Sequence, residues 1–344
     1  MWRNRGNVFD LEMDPVRKLG LSFAQGPQAL VMKDRTRVYF STRRPDSNGK
    51  PISFIKFAEF SPDFTELLNV SQAEVVSNGG LGAFDEHGIF PLNVIPVEDE
   101  IRGYSSGWSR RISVDVTMGI GILSSRDDGL SFQRIGSGPA ISASPDEPFL
   151  IGDPFVLLQD GKFHLWYIYG TDWTRDSGGT PERTYRIGHR ESDNGMNWED
   201  KGKSHDLIAP LSPHEAQAMP TVLVSDGKGY LVFCYRETFD FRNGGARSYR
   251  LGIAASDDLV SWTRLPQFAE WQGDGWDSQM MCYPNIHVRG DTVFLLYNGN
   301  DFGKHGFGLA EIPLGDFVRH YSSGGSPHRR ATSNANSIFK TKQF

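Results

Sequence analysis

The chain has 344 residues, of which 38% are hydrophobic and 12% aromatic, so it can bury a substantial core. Its net charge of −6 and pI near 5.9 argue against a general nucleic-acid-binding or acidic-membrane-binding surface, and no nucleic-acid partner is expected. The sequence shows no apolar signal segment and no apolar run of membrane-spanning length, which predicts a cytoplasmic protein without a membrane span. Cys234 and Cys282 are predicted to be buried free thiols, because neither has a second Cys or a His at metal-ligand spacing.

The first predicted element is a single strand at about residues 6–12, and it is followed by a repeated unit. Each unit has a proline, an apolar strand, a polar turn and an aromatic-rich strand. The repeated prolines are Pro27, Pro91, Pro154, Pro220 and Pro284, which are separated by 64, 63, 66 and 64 residues. Five units of nearly equal length predict a repeat fold.

A third strand with its own signature follows in each unit. Residues 119–125 lead to Asp127-Asp128-Gly129 and Phe132, residues 187–192 lead to Asp193-Asn194-Gly195 and Trp198, and residues 251–256 lead to Asp257-Asp258 and Trp262. Asp, Asn and Gly supply the turn, and the aromatic residue opens a fourth strand. Four antiparallel strands per unit predict an all-β fold, a five-bladed β-propeller.

The last unit has a third strand at 306–312 but no convincing fourth strand after it. An unpaired strand edge invites aggregation, so the N-terminal strand at about 6–12 is predicted to complete the last blade and close the ring. The predicted domain is therefore a single propeller over residues 1–320, and residues 321–344 are predicted to form a polar tail, extended or disordered.

An Asp-Pro at the start of one innermost strand, with a Glu one unit later, resembles the five-bladed propeller glycoside hydrolases of families 43, 32, 62 and 68 and the related families 130 and 117. The phrases at residues 84–88, 275–278, 297–300 and 306–310 look like a group of glycosidase-like proteins encoded beside bacterial surface-polysaccharide genes. The resemblance covers roughly residues 6–315. It implies a carbohydrate-active propeller and a sugar or oligosaccharide ligand.

In that clan, three carboxylates from consecutive blades meet in one axial funnel. The resemblance implies a role for one residue in each of three blades. Asp153 matches the Asp that tunes the pKa of its neighbours, Glu215 matches the general acid, and Asp85 matches the base or nucleophile. Such a set suits glycoside cleavage, where one carboxyl group stays protonated while its partner is ionised. The pattern departs from family 43 in that Gln25-Gly26-Pro27 carries no carboxylate, and Glu215 stands five residues before its proline.

Further residues are candidates for substrate binding. Aromatic faces can stack on sugar rings, and arginine forks bind carboxylate or phosphate groups, so an anionic sugar is a candidate ligand. The candidates are Glu86, His87, Trp108, Arg110, Trp173, His214, Arg236, Trp276, Asp277 and Asn298. Arg43, Arg44 and Arg111 also follow second strands, as Arg110 and Arg236 do.

Three functions remain open at this stage. The first is a glycoside hydrolase or transglycosidase, the second a non-catalytic glycan-binding or scaffold propeller, and the third a phosphate-dependent glycoside phosphorylase. The sequence has none of the patterns of a phosphate loop, a zinc protease or a serine hydrolase elbow, so no cofactor is predicted. A structural cation in the axial channel would fit the polar residues there.

Overall fold

The computed structural model describes residues 1–198, 206–268, 273 and 275–322. These residues form an almost entirely β structure, which confirms the all-β prediction. The strands are β1 (Arg3–Asp10), β2 (Gln25–Val31), β3 (Thr36–Pro45), β4 (Pro51–Phe60), β5 (Leu67–Val70), β6 (Gly88–Val97), β7 (Glu100–Arg110), β8 (Val116–Ser125), β9 (Gln133–Arg134), β10 (Ile151–Gln159), β11 (Lys162–Arg175), β12 (Pro181–Ser192), β13 (Glu215–Ser225), β14 (Lys228–Glu237), β15 (Arg250–Ser256), β16 (Thr263–Arg264), β17 (Cys282–Arg289), β18 (Thr292–Asn298) and β19 (Gly306–Pro313). One α-helix, α1 (Leu314–Ser322), follows the last strand. Short 3-10 turns lie at Val16–Leu19, Phe241–Asn243, Gly245–Arg247 and Asn300–Gly303.

The strands after β1 fall into five antiparallel groups, each of which begins with one of the five proline-containing strands. The groups are β2–β5, β6–β9, β10–β12, β13–β16 and β17–β19. The first two groups are joined into one sheet by a single parallel bridge between Ser53 and Gly88. In the third group, the predicted fourth strand after Trp198 falls partly on residues outside the described part of the chain.

Polar turns connect the strands of a group as the sequence predicts. Asp160 and Gly161 both have positive φ angles, +52° and +78°, as the tight turn between β10 and β11 requires. Tyrosines of one group also bind the turns of the next. The hydroxyl group of Tyr39 donates to the Gly129 carbonyl at 2.7 Å, and that of Tyr104 donates to the Gly195 carbonyl at 3.0 Å. These bonds hold consecutive groups side by side.

Each proline-containing strand has an irregular register just before its proline. The residues that precede the prolines are Gly26, Phe90, Asp153, Met219 and Tyr283, and we call them the axial residues. Four of them have φ between +48° and +59°, and the fifth precedes a cis proline. A bulge of this kind re-aims the side chain of the residue that it displaces.

The first strands of the five groups contact one another in sequence. Strand β2 contacts β6, β6 contacts β10, β10 contacts β13, β13 contacts β17, and β17 contacts β2. The axial residues are therefore neighbours. The rings of Phe90 and Tyr283 lie 5.2 Å apart, and the backbone N–H of Met219 donates to Asp153 Oδ2 at 3.2 Å.

Both ends of the described chain pack on the last group. Strand β1 pairs antiparallel with β19, with Arg3 opposite Glu311 and Asp10 opposite Gly306. The chain then continues as α1, whose Tyr321 is buried although the sequence assigns it to the polar tail. The rest of the predicted tail, residues 323–344, lies outside the described residues. No helix among the described residues is long and apolar enough to span a bilayer.

Large apolar side chains fill the space between the groups. Trp166 and Tyr230 are fully buried, and truncation of a ring of this size in a protein core costs about 3–5 kcal/mol. Cys234 and Cys282 are buried free cysteines, as predicted.

Candidate functional site

A cavity of about 640 Å³ lies over the axial residues. This volume is within the range of small-ligand sites. Its floor includes three axial side chains, those of Phe90, Asp153 and Tyr283. Its walls come from second and third strands and from the hairpins at their ends; they include Ser41, Arg43, Trp108, Arg183, Tyr185, Arg236 and Tyr249.

Asp153 is the only carboxylate among the five axial residues, all of which the structure describes. It is 5% exposed, and its backbone N–H donates to Ser106 Oγ at 2.7 Å. Burial raises the pKa of the Asp153 carboxyl group to about 7, although the Met219 N–H and the charge of Arg183 act in the opposite direction. Among the described residues, no Lys, Arg or His forms an ion pair with it. An acid with this pKa can both donate and accept a proton near neutral pH.

Arg236 is a buried cation in the wall of the same cavity, 2% exposed. Its Nε donates to the hydroxyl oxygens of Tyr185 at 3.2 Å and Tyr249 at 3.3 Å, and Nη2 donates to the Arg183 carbonyl at 3.2 Å. The guanidinium lies 3.7 Å from the centre of the Phe241 ring. All these partners are neutral, so within the described residues no carboxylate balances this charge.

Two tyrosines that bind Arg236 are also bonded to each other. The hydroxyl oxygens of Tyr185 and Tyr249 are 2.5 Å apart. Burial raises the pKa of Tyr249 well above its usual value, and it does the same for Tyr283. Tyr249 and Tyr283 therefore stay protonated near neutral pH, where their hydroxyl groups act as hydrogen-bond donors rather than as charged groups.

A second hollow of about 530 Å³ adjoins the cavity. We call it the mouth groove. Hairpins β3–β4, β7–β8 and β11–β12 form it. The two hollows share four lining residues, Pro51, Trp108, Asp115 and Val116. Trp108 is fixed at this junction, because its Nε1 donates to Ser53 Oγ at 2.8 Å.

The structure does not bring the three predicted catalytic acids together at the cavity. Asp153 lines it, whereas Asp85 and Glu215 are absent from its lining. Oδ2 of Asp85 accepts a hydrogen bond from Arg134 Nε at 2.7 Å. Glu215 is held by Arg264, whose Nη1 lies 2.8 and 3.0 Å from its two carboxylate oxygens. The catalytic roles predicted for Asp85 and Glu215 stay predictions.

Glu147, which the sequence analysis did not single out, has the same type of partner. Arg190 Nη2 donates to its Oε2 at 2.7 Å. In all three pairs an acid at or before the first strand of a group binds an arginine on β9, β12 or β16, the last described strand of that group. We call these three the clasp pairs. They tie the start of a group to its outer edge.

Some of the predicted binding residues line one of the two hollows, and the others lie outside both. Trp108 and Arg236 line the cavity, and Arg110 lines the mouth groove, where it pairs with Asp46 at 2.8 Å. The residues outside both hollows are Glu86, His87, Trp173, His214, Trp276, Asp277 and Asn298. Some of these have clear structural partners.

Asn298 supports the axial bulge, because its Oδ1 accepts the backbone N–H of Gly26 at 2.8 Å. The carboxylate of Asp277 accepts the Tyr297 hydroxyl group at 2.8 Å, and the ring of Trp276 lies 5.2 Å from that of Tyr297. His87 packs against Trp108, with ring centroids 6.0 Å apart. Of these residues, Asn298 and His87 thus contact residues of the site, namely axial Gly26 and cavity-lining Trp108.

Sequence reasoning missed Phe90, Tyr283, Tyr185, Tyr249 and Arg183. The first two could have been found, since they stand directly before repeat prolines as Asp153 does. Arg183 and Tyr185 lie on the third strand β12, and Tyr249 directly precedes the third strand β15. The lengths of the hairpins bring these side chains to the cavity, and the sequence carries no clear signal for those lengths.

One group in the described part of the chain offers three metal-ligating side chains, namely His164, His189 and Glu191. His164 Nδ1 and His189 Nε2 are 3.1 Å apart, and their ring centroids are 5.3 Å apart at an interplanar angle of 12°. The two nitrogens therefore point at each other in nearly coplanar rings. That geometry is typical of a hydrogen bond between imidazoles rather than of two ligands that converge on one ion. The predicted axial cation stays a prediction.

No family model matches the chain. Two uncharacterized proteins of Mycobacterium tuberculosis, MT1551 of strain CDC 1551 and Rv1502 of strain H37Rv, are each 27% identical to it over 316 residues, covering 90% of this chain and 99% of the relative. The chain therefore spans nearly the whole length of these relatives.

Solved structures share the fold at low sequence identity. The β-1,2-mannobiose phosphorylase of Listeria innocua has a TM-score of 0.64 at 12% identity, covering 94% of this chain and 99% of that one. A thermostable family-43 glycoside hydrolase has a TM-score of 0.59 at 14% identity, covering 84% and 88%. A family-130 glycoside hydrolase that targets β-1,2 mannosidic linkages in Candida mannan has a TM-score of 0.60 at 15% identity, covering 85% and 84%. The chain thus shares the fold of these carbohydrate-active proteins.

Proposed function

We propose that this protein is a five-bladed propeller that cleaves a glycosidic bond in the cavity over its axial residues. Five strand groups and the contacts among their first strands support five blades. The pairing of β1 with β19 supports a ring closed by the N-terminal strand. The proposed propeller spans residues 1–320. A cytoplasmic role in surface-polysaccharide metabolism stays a prediction.

The observation that carries the activity is the isolated carboxyl group of Asp153. Its pKa of about 7 keeps a large fraction of it protonated near neutral pH. In the proposed reaction the Asp153 carboxyl group donates its proton to the glycosidic oxygen as the bond from that oxygen to the anomeric carbon breaks. A water molecule then attacks the anomeric carbon and loses a proton. Such a role requires a protonated acid beside the leaving oxygen, and burial supplies it here.

The base for this reaction has two candidates in the cavity wall, Asp115 and Asp301. The Asp115 carboxylate lies 3.6 Å from Arg183, and that of Asp301 lies 3.4 Å from His305. Both side chains are more than half exposed, whereas Asp153 is buried. An ionised carboxylate opposite a protonated one is the combination that general acid–base cleavage needs.

A second candidate function is phosphorolysis, in which inorganic phosphate takes the place of water. Arg43, Arg236 and Lys304 line the cavity, and none of them has a carboxylate partner within the described residues. Arginine and lysine are the usual ligands of phosphate. The Listeria innocua protein of similar fold is itself a phosphorylase.

The test is turnover of a panel of oligosaccharides, with and without inorganic phosphate, measured as released reducing sugar or sugar phosphate. Asp153→Asn should lower the rate by about 10²–10⁴-fold, which is the usual contribution of a general acid. Asp160→Asn is a matched control, because Asp160 is an exposed turn residue on the far end of the same strand.

Three outcomes are informative. Product that appears only with phosphate would select phosphorolysis. Turnover that survives Asp153→Asn would refute the role of Asp153. Saturable binding of a glycan without any product would favour a non-catalytic glycan-binding or scaffold propeller.

A further inference from the structure

We infer that the ligand of this site is an acidic oligosaccharide, with one charged unit held in the cavity and further charged units held in the mouth groove. The inference rests on the proposed function in that it takes the ligand to be a sugar. It adds the charge of the sugar and its length.

The first part of the argument is the charge of the cavity. Arg236 is 2% exposed and has only neutral partners within the described residues. A buried charge without a counter-ion is costly, and an anionic group on a ligand would supply the missing partner. Arg43 and Lys304 line the same cavity without carboxylate partners in the described chain. Asp115 and Asp301 also line the cavity, but each already lies beside another basic side chain, 3.6 Å from Arg183 and 3.4 Å from His305. Asp153 cancels little of the positive charge while it is protonated.

The second part is the charge of the mouth groove. Its lining cations are Lys50, Arg110, Arg111 and Arg175, and among its lining residues only Asp115 carries a carboxylate. Arg110 pairs with Asp46 at 2.8 Å, whereas Lys50, Arg111 and Arg175 form no ion pair among the described residues. Asp115 in turn lies 3.6 Å from another cation, Arg183. The whole chain carries a net charge of −6, so this concentration of positive charge runs against the composition. A groove lined by one sign of charge concentrates ligands of the opposite sign.

The third part is the origin of these cations. Lys50 stands at the tip of the β3–β4 hairpin, Arg111 in the β7–β8 hairpin and Arg175 at the start of the β11–β12 turn. All three side chains are exposed. Three different strand groups thus each place a basic residue at the mouth groove. Core packing does not explain these residues, because their side chains are exposed.

The fourth part is continuity. The cavity and the groove share the wall formed by Pro51, Trp108, Asp115 and Val116. A chain of sugar units can therefore run from one hollow into the other past the indole of Trp108, whose face suits a sugar ring. A single monosaccharide would leave the groove empty.

The anionic group could be the carboxylate of a uronic acid or a phosphate group on a sugar, since the arginine fork binds both. The test is therefore a binding titration with matched probes. One pair is an oligosaccharide of uronic acid units and the neutral oligosaccharide with the same linkage. The second pair is a hexose phosphate and the free hexose, and inorganic phosphate alone is the last probe.

We expect an acidic oligosaccharide to bind at least tenfold more tightly than its neutral counterpart at low salt, because it gains several cations at once. The preference should shrink as salt rises to about 1 M, where charges are screened beyond about 3 Å. Longer acidic chains should bind more tightly than one acidic unit.

Variants of the groove test the length of the ligand. Arg111→Gln and Arg175→Gln should each weaken binding of the acidic oligosaccharide by about threefold, the usual scale of one exposed charge pair. They should leave binding of the hexose phosphate unchanged. Arg126→Gln is the matched control, because Arg126 is an exposed arginine at the opposite end of β8.

Arg236→Lys tests the cavity, since it keeps the charge and removes the fork. We expect it to weaken binding of the hexose phosphate and the acidic oligosaccharide about tenfold or more. Thermal unfolding shows whether the variant is folded. If it is not folded, the groove variants Arg111→Gln and Arg175→Gln test the inference in its place.

Equal affinity for acidic and neutral oligosaccharides would overturn the inference, even if Asp153-dependent cleavage were found. Tight binding of inorganic phosphate, with no preference between acidic and neutral sugars, would also overturn it and would favour phosphorolysis. A clear acidic preference in a protein that releases no product would support the inference while the proposed cleavage failed.

Discussion

The carboxylates of this protein occupy two different environments. In the clasp pairs, Asp85, Glu147 and Glu215 are buried and each binds an arginine. At the axis, Asp153 is equally buried, but within the described part of the chain its carboxylate accepts a hydrogen bond only from a backbone N–H. The two environments therefore differ in the partner of the acid rather than in its burial, and burial raises the pKa of the acid without an ion pair to about 7.

The same contrast applies to the cations. Arg134, Arg190 and Arg264 each bind a carboxylate, whereas Arg236, as far as the described residues go, donates hydrogen bonds only to tyrosine hydroxyl groups and backbone carbonyls. Charges are balanced at the outer edges of the strand groups and unbalanced in the cavity. A ligand can restore the balance only in the second region.

The largest effect on stability should come from breaking a clasp pair. Glu215→Ala should lower the free energy of unfolding by about 3–5 kcal/mol, because Arg264 would stay largely buried without its counter-ion. Denaturant unfolding measures this loss. The turnover per folded molecule should be unchanged, since Glu215 does not line the cavity.

Glu86→Gln is the control for that experiment. Glu86 is a partly exposed acid whose carboxylate accepts a hydrogen bond from the Gly82 N–H. A Glu215→Gln variant that folds normally but loses all turnover would restore the catalytic role that the sequence predicts for Glu215. It would also contradict the distinction between structural acids in the clasp pairs and a catalytic acid at the axis.

The next effect concerns pH. The folded pKa of Asp153 is about 7, above the ordinary value of 3.8, so the folded state binds more protons between these two values. Its contribution to stability is therefore present below about pH 4 and is lost as pH rises to about 7. The loss should amount to about 2–4 kcal/mol by the linkage relation.

Comparison of the unfolding free energy of the wild type and Asp153→Asn across pH 4–8 isolates this contribution. The variant should gain stability relative to the wild type as pH rises, while it loses turnover. Parallel curves for the two proteins would show that Asp153 does not titrate as described.

A smaller effect should follow from crowding the axis. Gly26 has φ of +59°, and a Cβ there would lie 2.8 Å from the Phe90 ring and 3.3 Å from the Met219 side chain. Gly26→Ala should therefore cost about 1–3 kcal/mol, through backbone strain and overpacking. Gly49 has a similar φ of +75° but lies in an open turn with no atom near the added Cβ. Gly49→Ala therefore measures the cost of the backbone strain alone.

Gly26→Ala should also alter ligand affinity, because the displaced Phe90 ring lines the cavity. If both glycine variants lose the same stability and bind ligand equally, the axial residues are not closely packed.

The smallest effect should be a shift of the pH profile. The charge of Arg183 acts to lower the pKa of Asp153, so Arg183→Gln should move the alkaline limb of the rate profile to higher pH. Arg126→Gln should leave the limb in place. A shift toward lower pH in Arg183→Gln would contradict the assignment of that limb to Asp153.

The repeat of prolines predicted most of the strand pattern, because a bulge before proline and a turn after it are local features. Three residues that the sequence predicts for the site, Asp153, Trp108 and Arg236, line the cavity. The sequence could not reveal the clasp pairs, since Arg134 and Arg264 lie 49 residues from their acids and nothing local links them. The catalytic roles that the sequence predicts for Asp85 and Glu215 therefore stay predictions beside the arginine partners that the structure shows.

The basic groove was equally hard to predict. Lys50, Arg111 and Arg175 stand in three separate hairpins, and each alone has the appearance of an ordinary solvated turn residue. Only the lengths and directions of the hairpins bring them together, and these depend on the packing of whole groups.

The pairing of β1 with β19 joins residues about 300 positions apart, such as Arg3 and Glu311. During synthesis the N-terminal strand must therefore wait until nearly all the other strands have been made. Contacts of such long sequence separation slow folding, and until they form, the edge of β19 is open to other chains. Removal of residues 1–10 should leave that edge permanently exposed, so the shortened chain should self-associate even if the cavity still forms.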